Sequence, residues 1–405
     1  MKKINKAERL NNVKYEIRGN VLDVAKELEN KGINILKLNI GNPGAFNFSA
    51  PKRILNYMKQ NLKFNQGYSD SKGLLKERIS IKNYYKSKNV NIDLDNIYIG
   101  NGVSELILIT MQALLNKNDE ILVPMPDYPL WTAAINLNSG KAVHYICNED
   151  NNWYPNIEDI KKKITNRTKG IVIINPNNPT GSLYPKYILK EIINIAKKNN
   201  LIIFSDEIYD RLLYDNLKHI SIASLSKEVP IITYSGLSKS HMVAGYRVGW
   251  MCISGNTNYL INYIEGLNLL TSMRLCSNVP AQSIITKALK DTKSTRKYFN
   301  KNGRLYKQRD YIYNRLKKID GISVVKPNAS FYIFPKIDIK KFNIKNDEEF
   351  ILEFLKEKHI LFVQGTGFNY NSPDHFRITY LAKIKDLKYA LDSLENFLNK
   401  KRNML

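Results

Sequence analysis

The sequence predicts an α/β protein: a large domain built on a mostly parallel central sheet, joined to a smaller α+β domain. Short runs rich in Ile, Val and Leu alternate with longer amphipathic stretches. Some runs are apolar throughout, such as IVII at 171–174 and LIIF at 201–204, which suits strands covered on both faces. After about residue 295 the alternation gives way to a different order of elements.

Strands are expected at 96–99, 120–123, 170–174, 201–205, 230–234 and 250–253, with helices such as 104–115 and 187–198 between them. A long polar helix is expected at 296–318, followed by short strands near 322–325 and 331–334. A helix near 348–358, strands near 361–363 and 376–379, and a closing helix from about 385 complete the smaller domain. The first 45 or so residues are expected to cross over and join it. The divisions are then 1–45 (arm and small-domain segment), 46–295 (large domain) and 296–405 (small domain). Neither an internal repeat nor a flexible linker is visible.

With 405 residues and 43% hydrophobic content, a sizeable core can form. No apolar run approaches the ~20 residues that cross a bilayer. The opening MKKINKAERLNN is basic but leads into no apolar run, so a secretory signal is not expected. Cys147, Cys252 and Cys276 lie far apart and suggest neither a disulfide framework nor a metal site, which fits the cytoplasm. The formal charge of +25 invites a nucleic-acid reading. Yet the positive residues are 48 Lys against 14 Arg, scattered rather than blocked, whereas phosphate and base readout recruit arginine forks. Abundant Ile and Asn point to AT-rich codons as the source of the lysines.

Four segments carry chemistry. In YSGLSKSHMVAGYRVGW, 234–250, Lys239 follows a strand and precedes a glycine-containing segment with Arg247 eight positions on. A turn there lets the amine reach a cleft, as an imine-forming lysine requires. In FSDEIYD, 204–210, Asp206 ends an apolar strand, where α/β proteins place ligands, and Tyr209 follows. In NPNNPTG, 175–181, two prolines and a glycine hold the amide of Asn178. In IGNGVSELILITMQALL, 99–115, the free amides of Gly102, Val103 and Ser104 open a helix and suit an anion. Each segment alone is as well explained by a surface lysine, a helix cap or an ordinary turn.

Taken together, in this order and spacing, the four segments resemble the class I/II aminotransferases, enzymes of the pyridoxal-phosphate (PLP) fold type I. The resemblance implies PLP as cofactor, with Lys239 bonded to it, Asp206 at its ring nitrogen, and Tyr209 and Asn178 at its phenolic oxygen. It implies Arg247 as a fork on the phosphate. Tyr128, in PMPDYPLW, matches the tyrosine that stacks on the ring, and Tyr68, in QGYSDSKGL, matches one that reaches the phosphate of a neighbouring subunit in a homodimer. Arg377, in HFRITY, matches the arginine that binds the substrate α-carboxylate, and Gly41, in LNIGNP, lines the same carboxylate. One position departs: where many relatives have a phosphate-binding serine three residues before the lysine, this chain has Gly236, leaving Ser238 or Ser235 as substitutes.

Segments such as KLNIGNP, YIGNGVSELI, EGLNLLTSMRLCSNVPAQ and LFVQGTGFN read like the bacterial members that exchange amino groups between alanine and 2-oxoglutarate. Small amino acids and 2-oxo acids are the expected partners, with no specific nucleic acid and no membrane. Glutamate's second carboxylate needs a donor that tolerates alanine's methyl group, and a folding arm carrying Tyr15 and Arg18 is the candidate. Transamination of aspartate, aromatic or branched substrates, or a β-lyase on the same frame, stays open. A DNA-binding regulator with an aminotransferase-like domain is a remote alternative, because the family text begins near residue 35 and leaves no room for a helix-turn-helix unit.

Overall fold

The structure is a computed structural model that describes residues 4–13, 15 and 19–403. Among these residues, one sheet of eight strands forms the frame. Its strands are β1 (Ile97–Asn101), β2 (Glu120–Met125), β3 (Lys141–Asn148), β4 (Tyr154–Pro155), β5 (Thr168–Ile174), β6 (Ile202–Asp206), β7 (Ile231–Gly236) and β8 (Val248–Ser254). Their order in the sheet is β1-β8-β7-β6-β5-β2-β3-β4. The run β3, β2, β5, β6, β7 is parallel, and β8 turns back antiparallel between β7 and β1.

The apolar runs read from the sequence are covered on both sides. Ile171 and Ile173 of β5 face one cluster with Leu122, Ile203 and Trp250, while Val172 and Ile174 face another with Val123, Phe204 and Tyr234. That second cluster is closed by Leu106, Ile107 and Met111 of the helix Val103–Leu114. A Cβ at Gly170 would lie 2.6 Å from the Phe204 ring, so a glycine is what lets β5 carry that aromatic neighbour.

A third cluster gathers the C-terminal helices and strands with Val21, Ala25 and Leu38 from the start of the chain. There the short strand Leu36–Lys37 lies parallel to Ile360–Leu361. Three further strands, Tyr332–Ile333, Phe376–Thr379 and Val363–Gln364, pair antiparallel in that order.

Differences from the sequence reading have local causes. The helix expected at 296–318 is broken: a 3-10 turn at Arg296–Tyr298 is followed by a helix only at Arg304–Leu316. NKNG at 300–303 supplies turn residues, and Gly303 packs so close that a Cβ there would meet the carbonyls of Lys297 and Tyr298 at 2.4 Å. The strand expected at 361–363 divides between two partners, Ile360–Leu361 and Val363–Gln364. β3 and β4 were not foreseen: β3 is half exposed along much of its length and lacks the continuous apolar text of its neighbours.

Candidate active site

The parallel strands deliver their carboxyl ends to one edge of the sheet, and each motif starts there. β2 leads to Tyr128, β5 to the loop of Asn178, β6 ends on Asp206, and β7 runs into the helical turn Leu237–Ser240 that carries Lys239. A cavity of about 630 Å³ opens at this edge. Tyr15, Gly41, Val103, Ser104, Tyr128, Asn178, Asp206, Tyr209, Ser238, Lys239, Arg247 and Arg377 line it. Tyr68 does not; it is 85% exposed. Arg18 lies outside the described residues.

Lys239 reaches across the cavity, where Nζ donates to the Gly41 carbonyl at 2.8 Å. Asp206 is buried, and its oxygens accept from the Ile208 amide at 3.2 Å and Trp131 Nε1 at 3.3 Å. No cation pairs with it among the described residues, and burial pushes its pKa up to about 6. A buried carboxyl so placed has the chemistry to accept a cationic N–H entering the cavity. Tyr209 is also buried, and its hydroxyl donates to that of Tyr332 at 3.0 Å.

Arg377 forms the other end. Its guanidinium is buried between the Tyr332 ring at 4.4 Å and the Phe368 ring at 4.5 Å. Nη1 donates to Asn178 Oδ1 at 2.8 Å and Nη2 to the Asn39 carbonyl, while Nε, also buried, finds no partner among the described residues. Burial lowers its pKa, and no carboxylate among the described residues balances it. An unbalanced arginine against two rings, with N–H groups to spare, has the donors to take a carboxylate. Because Asn178 uses its oxygen on Arg377, its NH2 remains to donate into the cavity.

A third corner is built for an anion. Gly102 caps the helix Val103–Leu114 at φ 82°, and a Cβ there would lie 2.3 Å from Arg247 Nη2. The glycine therefore serves both the left-handed turn and the close seat of the guanidinium. Arg247 is itself left-handed (φ 55°) and is tied to the carbonyls of Ala244 at 3.0 Å and Asn101 at 3.3 Å. Ser238 lines the cavity, whereas Ser235 is buried in β7 and does not. Gly236 has a packing reason: a Cβ would sit 2.6 Å from the Val248 carbonyl, so a serine there would push β8 away.

Two struts brace these corners from behind. The Asp127 amide donates to the Phe368 carbonyl at 3.0 Å, and its carboxylate accepts from Asn369 Nδ2 at 2.7 Å. His375, two residues before Arg377, is held by Asp374 at 2.7 Å and Glu149 at 3.2 Å. At the mouth, the hydroxyls of Tyr15 and Tyr128 meet at 3.1 Å.

Sequence reasoning passed over Asn39, Trp131 and Tyr332. Asn39 acts through a backbone carbonyl, which no side-chain pattern reveals. Trp131 sits inside the quoted PMPDYPLW, where its indole N–H was a visible but unused donor. Tyr332, in FYIFP, reads as an ordinary core strand residue.

Comparison with known proteins adds kinship to this geometry. The family described as aminotransferase class I and II matches residues 33–394. The chain is 52% identical over 400 residues to the glutamate-pyruvate aminotransferase AlaA of Escherichia coli strain K12, covering 98% of this chain and 99% of that protein. It is 47% identical to the alanine aminotransferase of Mycobacterium tuberculosis strain H37Rv, covering 96% and 91% respectively. Among solved structures, an aminotransferase from Escherichia coli superposes with a TM-score of 0.97 at 52% identity, covering 98% of this chain and 99% of that one. The alanine aminotransferase from Pyrococcus furiosus gives 0.93 at 42%, covering 98% and 100%.

Proposed function

The chain belongs to the class I and II aminotransferases, and from that premise we propose that it moves an amino group between L-alanine and 2-oxoglutarate, giving pyruvate and L-glutamate. The observation that carries the chemistry is one cavity with Lys239 between two unbalanced buried charges, Asp206 and Arg377. The substrate pair follows the relatives named for glutamate and pyruvate at 52% identity.

The donor set fits pyridoxal 5'-phosphate: the amides at Gly102 to Ser104, Ser238 and Arg247 take the phosphate, and Tyr128 takes the ring face. Asp206 takes the ring nitrogen, and Tyr209 and Asn178 take the phenolic oxygen. When bound, the cofactor supplies an aldehyde that accepts the amino group and a ring that draws electrons from the substrate Cα. Arg377 orients the α-carboxylate common to alanine and glutamate, with Gly41 beside it. Lys239 Nζ would take the proton from Cα and later return one. Asp206 holds the ring-nitrogen proton in place. Donor and acceptor use the site in turn, so the kinetics are ping-pong.

Tyr68 completes the site of a neighbouring subunit in a homodimer. Its exposure supports this, as do the exposed apolar Ile261, Leu269 and Met273 of the helix Ile261–Met273. The arm carrying Tyr15 and Arg18 supplies the donor for glutamate's second carboxylate. We place the enzyme in the cytoplasm on its three cysteines, all free.

The deciding test is an absorbance spectrum of the cofactor-loaded protein. L-Alanine should bleach the visible band and 2-oxoglutarate restore it. Lys239→Ala should abolish the cycle and the borohydride-trapped adduct. A cycle driven by aspartate or aromatic donors but not by alanine defeats the substrate assignment, and an adduct that survives Lys239→Ala defeats the assignment of the lysine.

A further inference from the structure

We propose that Tyr332 is a positioning residue of this site: its hydroxyl sets the hydrogen-bonding direction of Tyr209, and its ring holds the plane of Arg377. Tyr332 is buried and lines the cavity. It lies on the strand Tyr332–Ile333, which pairs directly with Phe376–Thr379, the strand that carries Arg377. Phenol and guanidinium are thus fixed by one ladder, with the ring centroid 4.4 Å from the Arg377 carbon. Its hydroxyl meets Tyr209 at 3.0 Å and has no other partner among the described residues. On the third side it presses on the backbone of Gly41, where a Cβ would come within 2.1 Å of the oxygen. That same Gly41 accepts the bond from Lys239. Tyr332 therefore touches the residues assigned to the cofactor's phenolic oxygen and to the substrate carboxylate.

The inference rests on the reading that Tyr209 faces the cofactor. A hydroxyl pair reverses its direction by turning two O–H bonds. When Tyr209 turns its O–H toward the cofactor's phenolic oxygen, Tyr332 would donate its hydrogen bond to Tyr209 instead. A phenol that accepts a hydrogen bond is a stronger donor, because the two bonds polarise each other. Without the Tyr332 hydroxyl, Tyr209 donates more weakly and the cofactor oxygen holds its proton more tightly. The other titratable or charged groups facing this pair are Asp206, Arg377, Tyr128 and Tyr380, with Lys239 beyond Gly41. All of them remain in the variants below.

Full-length Tyr332→Phe and Tyr332→Ala, loaded with pyridoxal 5'-phosphate, separate the two roles. Without substrate, the pH midpoint of the visible band should rise by on the order of 0.5 unit in both variants. The KM for alanine should stay within about twofold in Tyr332→Phe, which keeps the ring on Arg377, and rise about tenfold in Tyr332→Ala. A midpoint in Tyr332→Phe equal to that of the unaltered protein overturns the hydroxyl role. Equal KM values in the two variants overturn the stacking role. An unaltered protein that shows no visible band overturns the cofactor reading itself, and the inference with it.

Discussion

Replacing Arg377 by lysine keeps the positive charge and removes the fork. In the structure the guanidinium spends one N–H on Asn178 and one on the Asn39 carbonyl, and lies between two aromatic faces. Of its five N–H groups three remain, enough for a two-bond grip on a substrate carboxylate. A lysine ammonium has three N–H groups and no plane to stack. With one spent on Asn178 and one on the Asn39 carbonyl, it keeps a single bond to the carboxylate, and a second would cost one of those partners. Hydrogen bonds to charged groups contribute about 1.5–3 kcal/mol each. Losing one, plus part of the orientation, amounts to about 2–4 kcal/mol. At ~1.4 kcal/mol per factor of ten, kcat/KM falls about 30- to 1,000-fold. Steady-state assays with alanine and with glutamate should show the same fall, since both present the same α-carboxylate. The visible spectrum of the loaded enzyme should barely change, because Asp206, Lys239 and Arg247 are untouched. A loss below about fivefold, or one confined to glutamate, refutes the assignment of Arg377 to the α-carboxylate.

The buried Asp206, pushed up to about 6 from 3.8, stabilises the cofactor-free fold at low pH and loses that contribution as pH rises through about 6. Asp206→Asn without cofactor should therefore raise the urea unfolding free energy at pH 8 by on the order of 2 kcal/mol and leave it unchanged near pH 3; a variant no more stable at pH 8 contradicts the burial argument. Tyr68→Ala should weaken cofactor binding about tenfold, read by equilibrium dialysis, and restoration of half the sites in mixed dimers with Lys239→Ala would show the contact crosses subunits. Unchanged cofactor affinity sinks that assignment.

The sheet was legible because six of its strands are wrapped on both faces and so spell out apolar text. The corner assigned to the cofactor was visible in the text for a related reason: a strand end, a glycine turn and a helix start are local events, and Gly102, Asn178, Asp206 and Lys239 each sit at one. β3 escaped because half its side chains see water, and the break before Arg304 was missed because helical periodicity outweighed NKNG. Tyr332 and Asn39 escaped for a deeper reason. Their roles arise where distant segments meet, and nothing within ten residues of either announces the partner. Gly236 lay between these cases: the missing serine was visible, and its cause, the carbonyl of Val248 across the ladder, was not.

Arg377 bonds to partners 199 and 338 positions upstream in the chain. The residues assigned to the phosphate and ring of the same subunit, by contrast, fall between Gly102 and Arg247. On the ribosome these two halves of the catalyst come of age at different times. The nascent polypeptide therefore carries that set before Arg377 has been made. It gains a grip on amino acids only when its two extremities have met.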